Sequence, residues 1–198
     1  MDTFAAERTE RREAGGTALF LRRWLANPLR MGSVVPSSRA LCRHLVRHAW
    51  PDENEIVLEL GGGTGVVSRA FLEAGLRPDR LAVVEIDPNL ASHLRDTLPG
   101  CAVLEGDARY LPELLPARLR GRIGAVICGI PLVLLPLAEQ RRFATAMTAV
   151  APGCGFLHFS YCATSPLPVR ALGLRAKREA WIPLNFPPAS VWRYTAAD

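Results

Sequence analysis

The amino-acid sequence predicts an α/β fold built on a mostly parallel sheet. Short apolar runs alternate with helix-like amphipathic segments along most of the 198 residues, and the connections between them are short. Alternation of this kind favours parallel strands joined by right-handed crossovers. One of the runs, residues 56–60, leads directly into a glycine-rich turn, which is typical of the place where a nucleotide-like ligand meets a strand end.

The predicted elements begin with a helix over residues 37–50, which Ser37 or Ser38 caps after Pro36. The later strands are short apolar runs, whereas the later helices carry apolar residues at helical spacing. The pattern changes after Pro166, where two strand-like segments flank a proline-containing turn and predict an antiparallel pair that closes a mixed sheet. Strands are predicted over residues 56–60, 81–85, 101–105, 124–130, 155–161, 174–184 and 190–195, and the other helices over residues 64–74, 88–97 and 138–150.

The turn at residues 61–65 reads Gly-Gly-Gly-Thr-Gly, and the spacing of its glycines distinguishes between two classes of cofactor. Glycine lacks a Cβ, so the backbone turns tightly and a ligand can approach the amides at the helix N-terminus. A nicotinamide-binding turn needs its third glycine at position 66, where the chain has Val66. The observed spacing, with Glu59 two residues ahead of Gly61, is the pattern of class I S-adenosylmethionine-dependent methyltransferases.

Two more acids follow predicted strands at intervals that suit this cofactor. Glu85 ends the second strand about 20 residues after the turn, where a carboxylate accepts hydrogen bonds from both ribose hydroxyls. Asp87 lies nearby and is the alternative for this role. Asp107 follows the third strand, where the family pattern has an acid beside the adenine amino group. The predicted cofactor-binding residues are Glu59, Gly61, Gly63, Thr64, Gly65, Glu85, Ile86, Gly106, Asp107 and Ala108.

Length and composition restrict the remaining possibilities. The chain is long enough for one domain with a large core. Its five cysteines form no CxxC pair, so they are expected to be buried apolar side chains in a reducing compartment rather than zinc ligands or disulfides. The charged N-terminus lacks an apolar segment long enough for a signal peptide, which predicts a cytoplasmic protein.

The longest uncharged stretch, residues 123–138, is short for a membrane-spanning helix and contains Pro131 and Pro136. Its first half is expected to be a buried central strand. Its second half, residues 131–136, is an apolar loop at the carboxyl end of that strand, beside the ligand crevice. Such a loop either packs on the core as a lid or forms a lip that meets acyl chains, and both interpretations stay open.

The N-terminal region is basic and amphipathic. No acidic residue occurs over residues 14–51, and residues 17–27 are expected to form a helix with Phe20 and Trp24 on one face and Arg22 on the other. This pattern is typical of an interfacial helix on an anionic membrane. It also suits a helix that packs over the cofactor site, or one whose arginines meet nucleic-acid phosphates.

Several short segments outside the glycine turn form a further pattern. They are residues 27–28 (Asn-Pro), 32–38 (Gly-Ser-Val-Val-Pro-Ser-Ser), 58–61 (Leu-Glu-Leu-Gly), 129–132 (Gly-Ile-Pro-Leu), 159–161 (Phe-Ser-Tyr) and 185–194, which begins Asn-Phe-Pro-Pro-Ala. With them the chain resembles the bacterial phospholipid N-methyltransferases, a family that methylates phosphatidylethanolamine. Two positions depart from the family pattern: Gly62, where many relatives carry proline, and His158, where glutamine is more usual.

The resemblance implies a Rossmann-like class I methyltransferase fold, S-adenosyl-L-methionine as cofactor and phosphatidylethanolamine as acceptor, on the way to phosphatidylcholine. It also implies a protein peripheral to the inner face of the cytoplasmic membrane, with anionic lipids as partners and neither nucleic acid nor metal. Residues 1–36 would be the amphipathic membrane-binding or lid segment, and residues 37–198 the methyltransferase domain.

The substrate-side expectations follow from position. Tyr161, at the end of the fifth strand, is the candidate to contact the amine, with a packing aromatic as the alternative. His158 lies on the opposite strand face and is expected to be packed or to act through a neighbour. Arg22 is expected to hold the lipid phosphate, while Trp192 or Tyr194 offers a π face to the methylated cation. The predicted catalytic residue is Tyr161, and the predicted substrate residues are Arg22, Ser37, Ile130, Pro131, Trp192 and Tyr194.

Two other functions compete with lipid methylation. A ribosomal RNA adenine dimethyltransferase shares the glycine turn and the strand-end acids, but it needs an Asn or Asp and an aromatic residue after the fourth strand. Residues 129–132 read Gly-Ile-Pro-Leu and lack both, so a flipped base would find no polar acceptor or stacking partner there. A non-catalytic membrane module that binds S-adenosylmethionine is disfavoured, because the substrate-side segments are also present.

Overall fold

A single sheet of seven strands organises the part of the chain that the structure, a computed structural model, describes: residues 38–161, 164–185 and 187–197. The predicted N-terminal helix, Arg22 and Ser37 lie outside these residues. In chain order the strands are β1 (Ile56–Leu60), β2 (Leu81–Glu85), β3 (Ala102–Glu105), β4 (Ile123–Cys128), β5 (Phe156–Ser160), β6 (Leu174–Ile182) and β7 (Ala189–Ala196). Across the sheet the order is β3-β2-β1-β4-β5-β7-β6.

The helices follow the predicted alternation. The first begins one residue after its cap, Ser38, whose side chain accepts a hydrogen bond from the backbone N–H of Leu41 at 3.2 Å. The fourth and sixth helices, of four residues each, were not predicted, because one turn carries no periodic signal. The described helices are α1 (Arg39–His48), α2 (Val66–Glu73), α3 (Pro88–Thr97), α4 (Leu111–Leu114), α5 (Leu137–Val150) and α6 (Val169–Leu172).

Strand direction decides which loops meet. Strands β1 to β5 are parallel, β7 is antiparallel to β5, and β6 is antiparallel to β7. Strand β6 therefore runs in the same direction as β5. The loops that follow β1 to β6 all leave the sheet at one edge, which we call the carboxyl edge, and β7 starts there. The predicted mixed sheet with a closing antiparallel pair is confirmed.

Helices cover both faces of this sheet. The crossovers from β1 to β3 and from β4 to β5 progress in opposite directions, so right-handed connections place α2 and α3 on one face and α5 on the other. On the first face, Val57, Val83 and Ile127 pack with Leu45 and Phe71 of the helices. This two-sided burial explains why the parallel strands consist of uninterrupted apolar residues.

No helix among the described residues combines the length and the apolar character required to cross a bilayer. The same residues contain no cluster of His, Cys, Asp and Glu side chains arranged to hold a metal ion. Of the cysteines in this region, Cys42 and Cys128 are buried, and Cys101 and Cys154 are partly buried, all as free thiols. Burial raises the pKa of Cys128 to about 12, as expected for a packed thiol rather than a reactive one.

Candidate active site

The glycine turn after β1 lies at the centre of the carboxyl edge. Gly61, Gly63 and Gly65 have φ values of 77°, 55° and 78°, in the left-handed region that favours glycine. A Cβ at Gly61 would lie 3.0 Å from Cγ1 of Ile130, so the turn packs tightly against the loop after β4. A Cβ at Gly63 would meet nothing within 4 Å, so the turn faces open space at this point. The turn is therefore packed against the loop after β4 at Gly61 and open to a ligand at Gly63.

Glu85, at the end of β2, is fully buried beneath this turn. Its Oε2 accepts a hydrogen bond from the backbone N–H of Gly63 and its Oε1 from that of Asp87, each at 2.9 Å. Burial raises the pKa of Glu85, and the backbone N–H donors oppose this shift. The carboxylate is therefore held at the glycine turn, where the ribose is expected, and each oxygen retains a further lone pair for a ligand hydroxyl.

Asp87, the alternative ribose ligand, has a different structural role. Its Oδ1 accepts hydrogen bonds from the backbone N–H groups of Asn89 at 2.9 Å and Leu90 at 3.1 Å, which caps helix α3. The two neighbouring acids are thus oriented towards different elements. Their contacts favour Glu85 over Asp87 as the ribose ligand, and that role stays a prediction.

Glu59 is buried on the face that α2 covers. The hydroxyl of Ser68, itself fully buried on α2, donates a hydrogen bond to Oε2 of Glu59. Burial raises the pKa of Glu59 to about 8. This contact joins the end of β1 to α2, the helix that follows the glycine turn. A direct contact of Glu59 with the cofactor stays a prediction.

Asp107 belongs to a buried ion-pair network that sequence reasoning missed. The Nε of Arg109 donates to Oδ1 and Oδ2 of Asp107 at 3.0 and 2.9 Å, and its Nη1 donates to Oε2 of Glu139 on α5. The Arg109 side chain is only 3% exposed. Burial lowers its pKa, but the two carboxylates outweigh that effect and raise the pKa of Arg109 above its ordinary value. The network links the loop after β3, where adenine is expected, to α5, the helix that follows β4.

The remaining predicted cofactor residues lie on the same three loops. Thr64 is exposed in the glycine turn, Ile86 directly follows Glu85, and Ala108 is buried after Asp107. The backbone N–H of Gly106 donates to the carbonyl of Glu85 at 2.9 Å, which joins the second loop to the third. The structure therefore brings all ten predicted cofactor residues to the carboxyl edge of β1 to β3.

The acceptor side begins with the loop after β4. Ile130 is buried against Gly61, and Pro131 is partly buried. Next, Leu132 and Leu135 are buried, whereas Val133 and Leu134 are 41% and 52% exposed. The loop is therefore anchored on the core, as expected of a lid, and it also presents apolar side chains outward, as expected of a lip that meets acyl chains.

Tyr161 directly follows β5 at the carboxyl edge and is half-buried against the core beneath α1 to α3. Burial raises the pKa of its phenol. His158 lies on the opposite face, where its Nδ1 is 2.9 Å from the carbonyl oxygen of Cys128. Burial lowers the pKa of His158, so the ring is a neutral, packed side chain, as expected from its strand position.

Two predicted substrate residues are not brought to this edge. Strand β7 runs away from it, with Ser190 opposite Ser160, Trp192 opposite His158 and Tyr194 opposite Phe156. Trp192 and Tyr194 therefore lie about 7 and about 13 Å beyond Ser190 along the strand.

The role predicted for Tyr194 conflicts with its surroundings. Its ring is fully buried and stacks on Phe156 with centroids 5.1 Å apart, and its hydroxyl is 3.0 Å from Oγ of Ser165. The prediction that Tyr194 offers a π face to substrate is wrong for this reason. Trp192 is partly buried, and the Arg178 guanidinium already lies 5.8 Å from its ring centroid.

Asn185, in the turn between β6 and β7, is a site candidate to which the sequence had assigned no role. This turn lies at the carboxyl edge, and Asn185 is 2% exposed. Its Nδ2 donates to the carbonyl of Pro187 at 2.6 Å, while its buried Oδ1 has no hydrogen-bond partner among the described residues. A buried amide oxygen without a donor is costly, so it marks a position where a ligand donor would be accommodated.

Comparison with known proteins gives a lipid methyltransferase and several ribosomal RNA methyltransferases. No family model matches the chain. The chain is 33% identical over 143 residues to the ornithine lipid N-methyltransferase of Singulisphaera acidiphila, a match that covers 70% of this chain and 74% of that protein. It is 29% identical over 124 residues to ribosomal RNA small subunit methyltransferase A of Chlorobium phaeobacteroides, covering 60% of this chain but 44% of that protein.

Solved structures share the fold at low sequence identity. A TehB-like S-adenosylmethionine-dependent methyltransferase from Corynebacterium glutamicum aligns with a TM-score of 0.58 at 11% identity, covering 92% of this chain and 99% of that one. The glycopeptide N-methyltransferase MtfA, solved with S-adenosylmethionine, aligns with a TM-score of 0.59 at 15% identity, covering 79% and 93%. The sheet order, the glycine turn and the extended match to the lipid enzyme agree: the chain belongs to the class I S-adenosylmethionine-dependent methyltransferase family, with S-adenosylmethionine as its cofactor.

Proposed function

We propose that the protein transfers methyl groups from S-adenosylmethionine to the amine of a membrane lipid, with phosphatidylethanolamine and its mono- and dimethylated derivatives as the expected acceptors. Ornithine lipid is the second candidate acceptor, because the lipid enzyme of Singulisphaera acidiphila carries that substrate in its name and is 33% identical. Both acceptors present an amine at the end of a lipid headgroup. They therefore require the same arrangement of donor, amine and bilayer.

The observation that carries this proposal is the acceptor loop after β4. Residues 129–132 contain no Asn, Asp or aromatic side chain, and the exposed residues of the loop, Val133, Leu134 and Pro136, are all apolar. A methyltransferase acting on a flipped adenine needs a polar acceptor and a stacking surface for the base. An apolar loop offers neither, but it suits a substrate whose neighbouring atoms are acyl chains.

The reaction requires a neutral amine held in line with the methyl group. The sulfonium of the cofactor supplies an already activated methyl, so the chain's own residues must position the acceptor and exclude water. A headgroup ammonium has a pKa on the order of that of lysine, about 10, and an apolar environment lowers it by desolvation. Ile130 and the half-buried Tyr161 offer such an environment. The Oδ1 of Asn185, which has no hydrogen-bond partner within the described part of the chain, is our candidate acceptor for an amine hydrogen.

The N-terminal segment supplies a membrane contact in this proposal. Residues 17–27 would form a helix that docks on anionic lipid at the inner face of the cytoplasmic membrane and covers the cofactor cleft. The combination of Phe20 and Trp24 with Arg22 and Arg23 supports it, because apolar burial and electrostatic attraction act together at an interface. Arg22 remains our candidate for the lipid phosphate.

Radiolabelled methyl transfer tests the proposal directly. The full chain is incubated with labelled cofactor and, separately, with phosphatidylethanolamine vesicles, ornithine lipid vesicles and small-subunit ribosomal RNA, and the products are separated. Labelled lipid that requires Glu85 is the expected result. Efficient labelling of the RNA with none in either lipid would replace the proposal with the nucleic-acid function of the other relatives, and cofactor binding with no transfer at all would indicate a non-catalytic module.

A further inference from the structure

We infer that the carboxyl edge of the sheet is itself a membrane-docking surface. Two apolar segments form it: the lip, residues 131–137 after β4, and the hairpin tip, residues 181–185 with 187–188, from the end of β6 to the start of β7. The occupant is the acyl boundary of an anionic bilayer. This inference rests on the proposed function and adds a second contact, separate from the N-terminal helix, with residues of its own.

The distribution of exposed apolar side chains carries the inference. Among the described residues, seven large apolar side chains are exposed, and six belong to segments at the ends of β3, β4 and β6. The most exposed is Leu184 at 89%, in the hairpin tip. The exception is Trp50, which precedes β1 and lies at the opposite edge. Exposed apolar side chains gathered at one edge indicate an interaction surface. The six are Tyr110, Val133, Leu134, Leu137, Trp181 and Leu184.

Both segments are uncharged, and both are held by buried neighbours. No Asp, Glu, Lys or Arg occurs over residues 123–138 or 180–192. In the lip, Leu132 and Leu135 are buried, and the Nε2 of Gln140 donates to the carbonyl of Leu135 at 2.9 Å. In the hairpin tip, Ile182 is buried. The outward-facing leucines are therefore presented by an ordered framework.

A bilayer fits this surface better than a protein partner does. The apolar side chains stand on separate tips rather than on one flat patch, which suits shallow insertion at several points. Trp181 and Tyr110 are amphipathic aromatics, the type enriched where apolar and aqueous phases meet. The chain carries a formal net charge of +5, which attracts it to an anionic surface.

The surface also surrounds the place where the acceptor must arrive. The lip follows β4, the hairpin tip follows β6, and Tyr161 follows β5, which lies next to β4 in the sheet. Docking through the lip and the hairpin tip turns the end of β5 and the glycine turn towards the bilayer. The headgroup amine would then reach the methyl donor while the acyl chains stay in the membrane.

Vesicle sedimentation of the full chain tests the surface. The double variant Leu134→Ser/Leu184→Ser removes one leucine from the lip and one from the hairpin tip. As a matched control, Trp50→Ser removes an exposed apolar side chain from the opposite edge. On vesicles of phosphatidylcholine with phosphatidylglycerol, the double variant should lose roughly tenfold or more in partition coefficient. The control should bind like the parent. Equal binding by the parent and the double variant would overturn the inference, as would an equal loss in the control.

Hydrogen exchange separates this surface from the N-terminal helix. Addition of the same vesicles should slow amide exchange in peptides covering residues 131–137 and 181–188, and unchanged exchange in both would overturn the inference. A parent dimer that the double variant dissociates in the ultracentrifuge, without lipid, would also overturn it by assigning the surface to a second copy.

Methyl transfer distinguishes failure of this inference from failure of the proposed function. A second double variant, Leu137→Ser/Trp181→Ser, removes exposed apolar side chains from the same surface and leaves the acceptor loop intact. With phosphatidylethanolamine in detergent micelles, it should be as active as the parent, and with vesicles it should be less active. Equal activity in both formats refutes docking while the lipid function stands. No lipid methylation by the parent in either format refutes the proposed function, and with it the inference.

Discussion

The ribose contact can be tested by replacing Glu85, because the structure separates its role from that of its neighbour. In the free protein both carboxylate oxygens bind backbone N–H groups at 2.9 Å, at Gly63 and Asp87. Glu85→Ala removes the acceptor of both and the predicted ligand of the ribose hydroxyls. Glu85→Gln keeps one acceptor oxygen, but it directs an NH₂ group towards a second donor. The alanine variant should therefore bind the cofactor more weakly than the glutamine variant.

The size of the effect follows from the type of hydrogen bond. Two hydrogen bonds from hydroxyls to a buried carboxylate are charge-assisted, and their loss should cost about 2 to 3 kcal/mol, or roughly 30- to 150-fold in Kd. The loss should be equal for S-adenosylmethionine and its demethylated product, because both carry the same ribose. Titration calorimetry with each ligand measures it, and thermal unfolding checks that the variant is folded.

Asp87→Ala is the matched control, two residues away on the same loop. Asp87 caps α3 through the N–H groups of Asn89 and Leu90, so its loss should cost about 1 kcal/mol of stability and leave cofactor affinity close to that of the parent. The reasoning is refuted if Glu85→Ala binds the cofactor normally. It is also refuted if Asp87→Ala loses affinity to the same extent, which would make Asp87 the ribose ligand.

Three further predictions concern the buried charges and the N-terminal segment. The folded-state pKa of Glu59 is raised from 4.5 to about 8, so its contribution to stability is complete below 4.5 and is lost as the pH rises towards 8. Urea unfolding of Glu59→Gln without cofactor should therefore show a smaller decline in stability over that range than the parent. Arg109→Met leaves two carboxylates without their buried partner and should lower the free energy of unfolding by about 3 to 5 kcal/mol. Trp24→Ala and the pair Arg22→Glu/Arg23→Glu should each weaken sedimentation with phosphatidylglycerol vesicles, and the parent's binding should weaken with added salt.

Each of these predictions has an outcome that contradicts it. Parallel pH profiles for the parent and Glu59→Gln would mean that Glu59 is ionised in the folded protein. A stability loss of under about 1 kcal/mol in Arg109→Met would show that solvent reaches the network, as at a surface ion pair. Normal vesicle binding by both N-terminal variants would leave that helix as a packing element and move the membrane contact to the lip and the hairpin tip.

The cofactor half of the site was predictable because its signals are local. A glycine that adopts a positive φ, such as Gly61, and an acid at a strand end, such as Glu85, follow directly from the neighbouring residues. The carboxyl ends of parallel strands then bring these local signals together without further information. Three of the predicted elements, at residues 56–60, 81–85 and 88–97, have the observed bounds.

The ion-pair network was hidden because it joins distant segments. Arg109 and Glu139 are 30 residues apart and belong to different elements, so no spacing rule connects them. In the sequence, a buried arginine looks the same as the exposed arginines around it. Only the packing of α5 beside the loop after β3 shows that these charges neutralise each other inside the protein.

Strand direction explains why the prediction failed for Tyr194 on the acceptor side. An aromatic residue near the C-terminus was expected to face the substrate, but β7 begins at the carboxyl edge and carries Tyr194 about 13 Å away from it. Strand β6 is antiparallel to β7 and therefore runs towards the carboxyl edge, so Trp181 lies near that edge and Leu184 follows in the turn. Asn185 arrives there by the same route, with a buried amide oxygen that has no hydrogen-bond partner among the described residues. The turn between β6 and β7, rather than β7 itself, is therefore where the search for acceptor-binding residues should begin.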